Sequence, residues 1–351
     1  MPEASAEPLQ FKDTAAQFAK LAGAGSLLVG VSGGPDSIAL FGLLAQWAGQ
    51  NSVKLSSATV DHGLRAGARA EAEQVARFAD ELGVSHSILT WSGEKPDVVS
   101  QEAARDARYH LLGAHMRALG ISHLVTGHTR DDQAETILLR FLRGSGPAGL
   151  AGMQAEVERY GIVLARPLLD IAKSRLIATC KAQGWTYVAD PSNENPRFTR
   201  VRLRRLMPEL AKEGLSTERL VTLGRRMGRM EQAIEAQVTA VWAKALIGLN
   251  EAEVTLRASD LTGQPALILE RIVQKGLVHV ASALCTGEPV TSARHIRLER
   301  LESLTDLLQT ALHGQVAFRR SLAGCLIGFD GQNLVKIVAA PPRAAKTAPQ
   351  Q

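Results

Sequence analysis

The chain has 351 residues, 45% of them hydrophobic and only 4% aromatic, with a formal net charge of +5. That length supports two or three domains, whose cores must rest on Leu, Val, Ile and Ala, and the mild basic excess is compatible with a nucleic-acid partner. Cys180, Cys285 and Cys325 are far apart and form no C-x-x-C, which argues against a zinc ribbon, a disulfide scaffold and a paired-thiol redox centre. No apolar run reaches transmembrane length and Met1 to Pro8 is acidic, so the expectation is a cytoplasmic protein with no membrane partner.

Up to about residue 190 strand and helix signals alternate. Strands are expected at Leu27–Ser32, Ser57–Asp61, His86–Trp91, His123–Gly127 and Ile162–Pro167. Helices are expected at Ile38–Ala48, Ala66–Leu82, Gln101–Leu119 and Asp131–Arg143. This alternation implies a parallel sheet covered on both faces, with ligands at the carboxyl ends of its strands. From about Leu206 helices take over, Leu220–Ala245 being the longest. Residues 256–338 mix helix with short strands, and Ala339 to Gln351 is expected to be a disordered tail.

The first strand runs into S-G-G-P-D-S, Ser32 to Ser37. Gly33 and Gly34 fall at a strand-to-helix turn, where backbone N–H groups can approach an oxyanion. A Walker A loop would end in Gly-Lys-Ser/Thr. No lysine stands here, which argues against a kinase or ATPase of that type. After the second strand, Asp61 and His62 reach the same sheet edge, although Asp61 reads equally well as a helix cap. In the third helix Ser100 is a plausible N-cap, Ala104, Ala107 and Leu111 form the expected buried stripe, and Arg105 and Arg108 share one side, suited to a phosphate or carboxylate.

Thr126 to Thr136 (T-G-H-T-R-D-D-Q-A-E-T) opens the next helix. Thr129 can cap it with Asp132 at N3, and Ala134, Ile137, Leu138, Phe141 and Leu142 make its apolar stripe. Asp131, Asp132 and Glu135 beside His128 exceed what capping needs, and Glu135 lies too deep to serve a cap. Further on, Arg197, Arg200, Arg202, Arg204, Arg205, Lys212, Arg219, Arg225, Arg226 and Arg229 face only Glu209, Glu213 and Glu218. Such a bias reads as a polyanion surface.

S-G-G-P-D-S resembles the PP-loop of the ATP pyrophosphatase superfamily. Together with D-H-G-L-R, E-A-A-R-D-A-R-Y, D-D-Q-A-E-T-I-L-L-R-F-L-R-G-S-G, G-L-A-G-M, R-P-L-L and D-P-S-N-E-N-P-R-F-T-R-V-R-L-R, it makes residues 25 to 210 resemble the tRNA(Ile)-lysidine synthases. Gly127-His128-Thr129-Arg130 departs from the lead that relatives often carry into D-D-Q-A-E-T. The resemblance implies an α/β fold with a doubly wound parallel PP-loop domain at 1–205. A helical tRNA-binding linker domain at 206–255, a small α+β region at 256–338 and the tail at 339–351 complete the expected organisation.

The implied reaction uses ATP and Mg²⁺ to adenylate O2 of the wobble cytidine in the CAU anticodon of tRNA(Ile). Free L-lysine then attacks C2, releasing AMP. Site residues follow from matching the motifs. Ser32, Gly33, Gly34, Pro35, Asp36, Ser37, Asp61, His62 and Gly127 would hold the nucleotide, with Asp36 also on the metal. Asp36, Arg105, Asp132 and Glu135 would be catalytic, Asp132 and Glu135 taking the lysine ammonium. Arg197, Arg200, Arg202, Arg204 and Arg205 would contact tRNA. A homodimer is left open. The alternatives are a PP-loop tRNA thiolase, which should carry catalytic cysteines, and a tRNA-binding protein with a degenerate nucleotide site.

Overall fold

The computed structural model describes residues 6–63, 67–92, 101–159, 161–188, 197, 199–284 and 296–340. Ser100, Asp190 to Pro196, Phe198, Cys285 and the tail from Pro341 therefore lie outside the described residues. The chain divides into two compact units, 1–228 and 229–351. The segment expected as a helical domain, 206–255, is shared between them, because one long helix runs through the division.

The first unit opens with α1 (Phe11–Ala19), β1 (Ser26–Gly30), α2 (Pro35–Gln50), β2 (Lys54–Asp61), α3 (Ala68–Glu81), β3 (Ser85–Thr90) and α4 (Gln101–Leu119). It continues with β4 (His123–Thr126), α5 (Arg130–Leu142), α6 (Pro147–Leu150), β5 (Glu156–Arg159), β6 (Ile162–Ala165), α7 (Lys173–Gln183), α8 (Thr199–Lys212) and the start of α9 (Thr217–Ala245). Strand order is β3-β2-β1-β4-β6-β5, parallel except for β5, which pairs antiparallel with β6 at the edge. This is the doubly wound α/β architecture expected. The chain steps outward from β1 to β3, then returns to β4 on β1's other side. That reversal opens a crevice beyond the ends of β1 and β4. Gly30 pairs in register with Thr126, so the two loops start level.

β1 is buried almost throughout, with Leu27, Leu28 and Val29 fully covered, as a central parallel strand requires. Phe18, Phe41 and Trp47 cover one face of the sheet, with Phe78 and Trp185 stacking edge-on nearby. Tyr109, Leu112 and Met116 cover the other. The buried stripe of α4 is thus rotated from the expected Ala104, Ala107 and Leu111, which are only half-buried. A third cluster joins Ala134, Ile137 and Leu138 of α5 to Leu203 of α8 and to Leu220 and Val221 of α9. Phe141 and Leu142 do not extend it. They stay 60% and 61% exposed, so the apolar stripe of α5 stops a turn earlier than its periodicity suggests.

The second unit contains the rest of α9, then β7 (Leu246–Asn250), β8 (Glu253–Arg257), α10 (Ala258–Leu261), α11 (Ala266–Leu284), α12 (Leu298–Gly314), β9 (Phe318–Leu322), β10 (Cys325–Phe329) and β11 (Leu334–Ala339). Its antiparallel sheet runs β7-β8-β11-β10-β9 over a core that includes Ile272, Leu277, Leu308, Ile327 and Ile337. Ala339, expected in the tail, instead pairs with Cys325 at the end of the ladder. Among the described residues no helix is long and apolar enough to cross a membrane.

Candidate active site

The loop after β1 is held open by its own side chains. Ser37 Oγ donates to Gly34 O at 2.9 Å and accepts from the Ser32 N–H at 3.2 Å, tying both ends of the turn to one hydroxyl. Gly33 takes φ +84°, a left-handed conformation that favours glycine, and its carbonyl accepts from the Val188 N–H at 2.9 Å. Gly34 is the N-cap of α2 and Pro35 its first residue, so no side chain covers the helix start. The first helical bond runs from Ile38 to Gly34. The Asp36 and Ser37 N–H groups precede it and have no intrahelical acceptor. A helix start of this kind suits an anion.

Beyond β4, Thr126 Oγ1 pairs with His128 Nδ1 at 2.9 Å. Burial, helped by Arg166, Arg105 and Arg108 and opposed by Asp132, pushes His128 down to about 3. His128 is therefore neutral at pH 7. Thr129 caps α5 in a full capping box. Asp132 Oδ2 accepts from Thr129 N and Oγ1 at 2.9 and 2.7 Å, and the Asp132 N–H donates to Thr129 Oγ1 at 3.3 Å. Asp131 Oδ2 accepts the Lys173 N–H at 2.8 Å.

These elements enclose a polar cleft of about 280 Å³, lined by Gly30, Ser32, Gly34, Asp36, Ser37, Arg108, Thr126, Gly127, His128 and Asp132. Gly127 is there for space. A Cβ on it would lie 2.9 Å from the Asp36 carbonyl oxygen, so the start of α2 packs directly on the end of β4. Asp36 is pushed above the usual carboxylate range by burial, against the pull of the Lys173 ammonium, with Asp132 and Asp131 adding to the rise. Lys173 Nζ donates to Asp36 Oδ2 at 2.8 Å, whereas Oδ1 is buried without a partner.

Several expected residues lie elsewhere. Gly33 and Pro35 shape the loop without lining the cleft. Asp61 Oδ1 accepts the Gly63 N–H at 2.8 Å, a contact within its own turn, and Asp61 caps no helix, since Gly67 is the N-cap of α3. His62 stacks edge-on against Trp91 at 5.9 Å. Arg105 lies over the Tyr109 ring at 5.1 Å, and Arg108, a turn along α4, is the guanidinium that lines the cleft. Its position on the same helix side was readable, because a three-residue step keeps both on one face.

Glu135, 5% exposed, accepts from Arg204 Nε at 2.7 Å, and its Oε2 is buried without a partner. The Arg204 side chain is itself 44% exposed, so its pairing with Glu135 leaves part of it on the surface. Arg200 donates to Thr136 Oγ1 at 3.4 Å, and Arg202 to Arg197 O and Thr199 Oγ1. Arg197, Arg202 and Arg205 are exposed. Glu209 pairs with Lys212 and Glu218 with Arg130. Lys173 carried no sequence signal at all. It stands four residues beyond R-P-L-L, at the start of a helix for which no expectation was made.

Cys180 is unsuited to sulfur chemistry. Its buried Sγ donates to Pro35 O at 3.5 Å, and burial, with Asp36 nearby, pushes the thiol up to about 12. The PP-loop domain family matches residues 8–210. The chain is 43% identical over 346 residues to a tRNA(Ile)-lysidine synthase of Methylobacterium nodulans, covering 97% of this chain and 99% of that one. It is 43% identical to the Rhodopseudomonas palustris tRNA(Ile)-lysidine synthase over 94% of each. Among solved structures, a U34-tRNA thiolase from Methanococcus maripaludis superposes with a TM-score of 0.52 at 19% identity, covering 62% of this chain and 78% of that one, a likeness of fold. A PP-loop before two carboxylate-bearing helix starts, and near full-length identity to these relatives, make this chain a member of the tRNA(Ile)-lysidine synthase family.

Proposed function

We propose that the chain ligates free L-lysine to C2 of the wobble cytidine in the CAU anticodon of tRNA(Ile). In the first step the cytidine O2 attacks the α-phosphate of ATP and pyrophosphate leaves. In the second, the lysine ε-amine attacks C2, the C2–O bond breaks, and AMP departs with the oxygen. The observation that carries this reading is one cleft lined together by the open start of α2 with its Asp36, by Arg108 and by Asp132. The helix start and Arg108 suit phosphate, and Asp132 suits an ammonium. The direct test is lysine-dependent AMP release with an unmodified CAU-anticodon transcript. AMP release that ignores lysine would overturn it.

The residues fit their proposed ligands. The α2 start and Arg108 would hold phosphate oxygens, charge-assisted contacts being the strong ones. Asp36 Oδ1, buried and unpartnered, suits a hard cation. Mg²⁺ there would shield the phosphate charge as the nucleophile approaches. Among the described residues no cluster of His, Cys, Asp or Glu could ligate a metal alone, so phosphate and water oxygens would complete its shell.

Uncovering a free lysine amine at pH 7 costs about 4–5 kcal/mol from its ordinary pKa. Asp132, and Glu135 through its unpartnered Oε2, would bind the ammonium and accept its proton. Asp132→Asn and Glu135→Gln are expected to weaken the lysine step by about 1.5–3 kcal/mol each, one charge-assisted contact. Adenylation in single turnover should change less. A shift in thermal stability alone, with lysine KM unmoved, would leave Asp132 a cap and nothing more.

The exposed basic face of α8 would follow the tRNA backbone. Arg202→Ala with Arg205→Ala should lower the salt slope of log K by roughly 0.7–0.9 for each phosphate no longer neutralised, without altering preference for the CAU anticodon. Affinities at several salt concentrations check this, and an unchanged slope places the backbone elsewhere. Arg204 is left out because it neutralises Glu135.

A further inference from the structure

Lys173 sits where a helix disfavours it. It is the first residue of α7, at the positive end of the helix dipole, and the N-cap Ala172 makes no side-chain cap. Two contacts hold it there. Its backbone N–H reaches Asp131 Oδ2 at 2.8 Å, and its ammonium crosses 137 residues of sequence to Asp36 Oδ2, also at 2.8 Å. The starts of α2, α5 and α7 thus meet through one lysine. The Lys173 side chain is 37% exposed and that of Asp36 19%.

A carboxylate on a short side chain turns about a broad, roughly two-fold torsion, so either oxygen of Asp36 could face the cleft. The ion pair removes that freedom. One oxygen is taken by the ammonium, and the other is buried with no partner.

We infer that Lys173 is a positioning residue for the nucleotide step: its ammonium pins Asp36 Oδ2 so that Oδ1 is the oxygen presented to the cation that accompanies ATP. This rests on the proposed metal role of Asp36. A Walker A loop carries its lysine within the loop. Here S-G-G-P-D-S has none, and α7 brings an ammonium to the loop's carboxylate instead. Partners that orient metal-binding carboxylates typically govern metal affinity by about 10–100-fold.

Lys173→Met removes the charge, preserves side-chain length and keeps the N–H contact to Asp131. ATP binding followed by calorimetry across a Mg²⁺ series should then need about tenfold more Mg²⁺ for half-saturation. Lys173→Gln should show the same shift, Lys173→Arg should restore most of it, and the unfolding midpoint without ligand should move little in all three. An unmoved Mg²⁺ midpoint in both Lys173→Met and Lys173→Gln overturns the inference, as does a lowered unfolding midpoint with normal Mg²⁺ dependence, the result of a mere tether. Asp36→Asn in parallel separates the two claims. If Asp36→Asn also binds ATP with unaltered Mg²⁺ dependence, the metal role of Asp36 fails. If Asp36→Asn shifts and the Lys173 variants do not, only the role of Lys173 fails.

Discussion

Asp36→Asn should lower single-turnover adenylation by about 10²–10³-fold, the scale of removing one group aimed at transition-state charge. tRNA affinity should be unchanged, since Asp36 lies inside the cleft at the start of α2. Stability should hardly fall. The ion pair removed joins Asp36 to a lysine whose side chain is 37% exposed, and such pairs contribute about 0–1 kcal/mol. Removing a carboxylate that burial already disfavours offsets part of even that. The measurement is pyrophosphate release at saturating Mg²⁺ and ATP, beside tRNA binding and thermal unfolding. Wild-type turnover would remove Asp36 from the chemistry.

Gly127→Ala should damage both fold and reaction. Its Cβ would lie 2.9 and 3.0 Å from the Asp36 carbonyl oxygen and carbon and 3.2 Å from Ser37 Cα. All three are backbone atoms, so no side chain can turn aside, and the first turn of α2 must move. Overpacking of this kind costs about 1–3 kcal/mol. A displacement near 1 Å at reacting groups costs about 10²-fold in rate. Gly34→Ala is the control. Its Cβ would meet only Ser32 Oγ at 3.8 Å, and its φ of −72° suits any residue. That variant should keep its unfolding midpoint yet lose ATP affinity, because a methyl would crowd the anion's approach. Equal unfolding midpoints for Gly127→Ala and wild type would show that α2 yields to the methyl without cost.

Where chemistry and local pattern coincide, the sequence was readable. S-G-G-P-D-S fell between strand and helix, and Thr129 with Asp132 formed the expected capping box. The parallel alternation was visible because each buried strand is a short apolar run between helical periods. β5 was missed because E-V-E-R is mostly polar, and only pairing with β6 makes it a strand. The pairing of Arg204 with Glu135 was not foreseen, because composition reports charge and not contacts. Ten basic residues on a helical stretch say nothing of which one pairs with a glutamate 69 residues earlier. Arg108 was noticed, but Arg105 was favoured, since an i, i+3 pair leaves open which member faces the ligand. Lys173 is the deeper omission. Its meaning lies wholly in contacts to Asp36 and Asp131, and long-range pairing leaves no local trace.

The pairing of Gly30 with Thr126 also bears on how the molecule is made. While the chain emerges from the ribosome, β1 can join β2 as soon as α2 has formed, but its other edge must wait for β4. During that interval Leu27, Leu28 and Val29 form an apolar strand with one row of backbone groups unpaired, the kind of edge that recruits foreign strands. Fragments ending before His123 should therefore aggregate, and those that include β4 should stay dispersed. A chaperone that shields nascent chains would have its greatest effect on this enzyme between those two lengths.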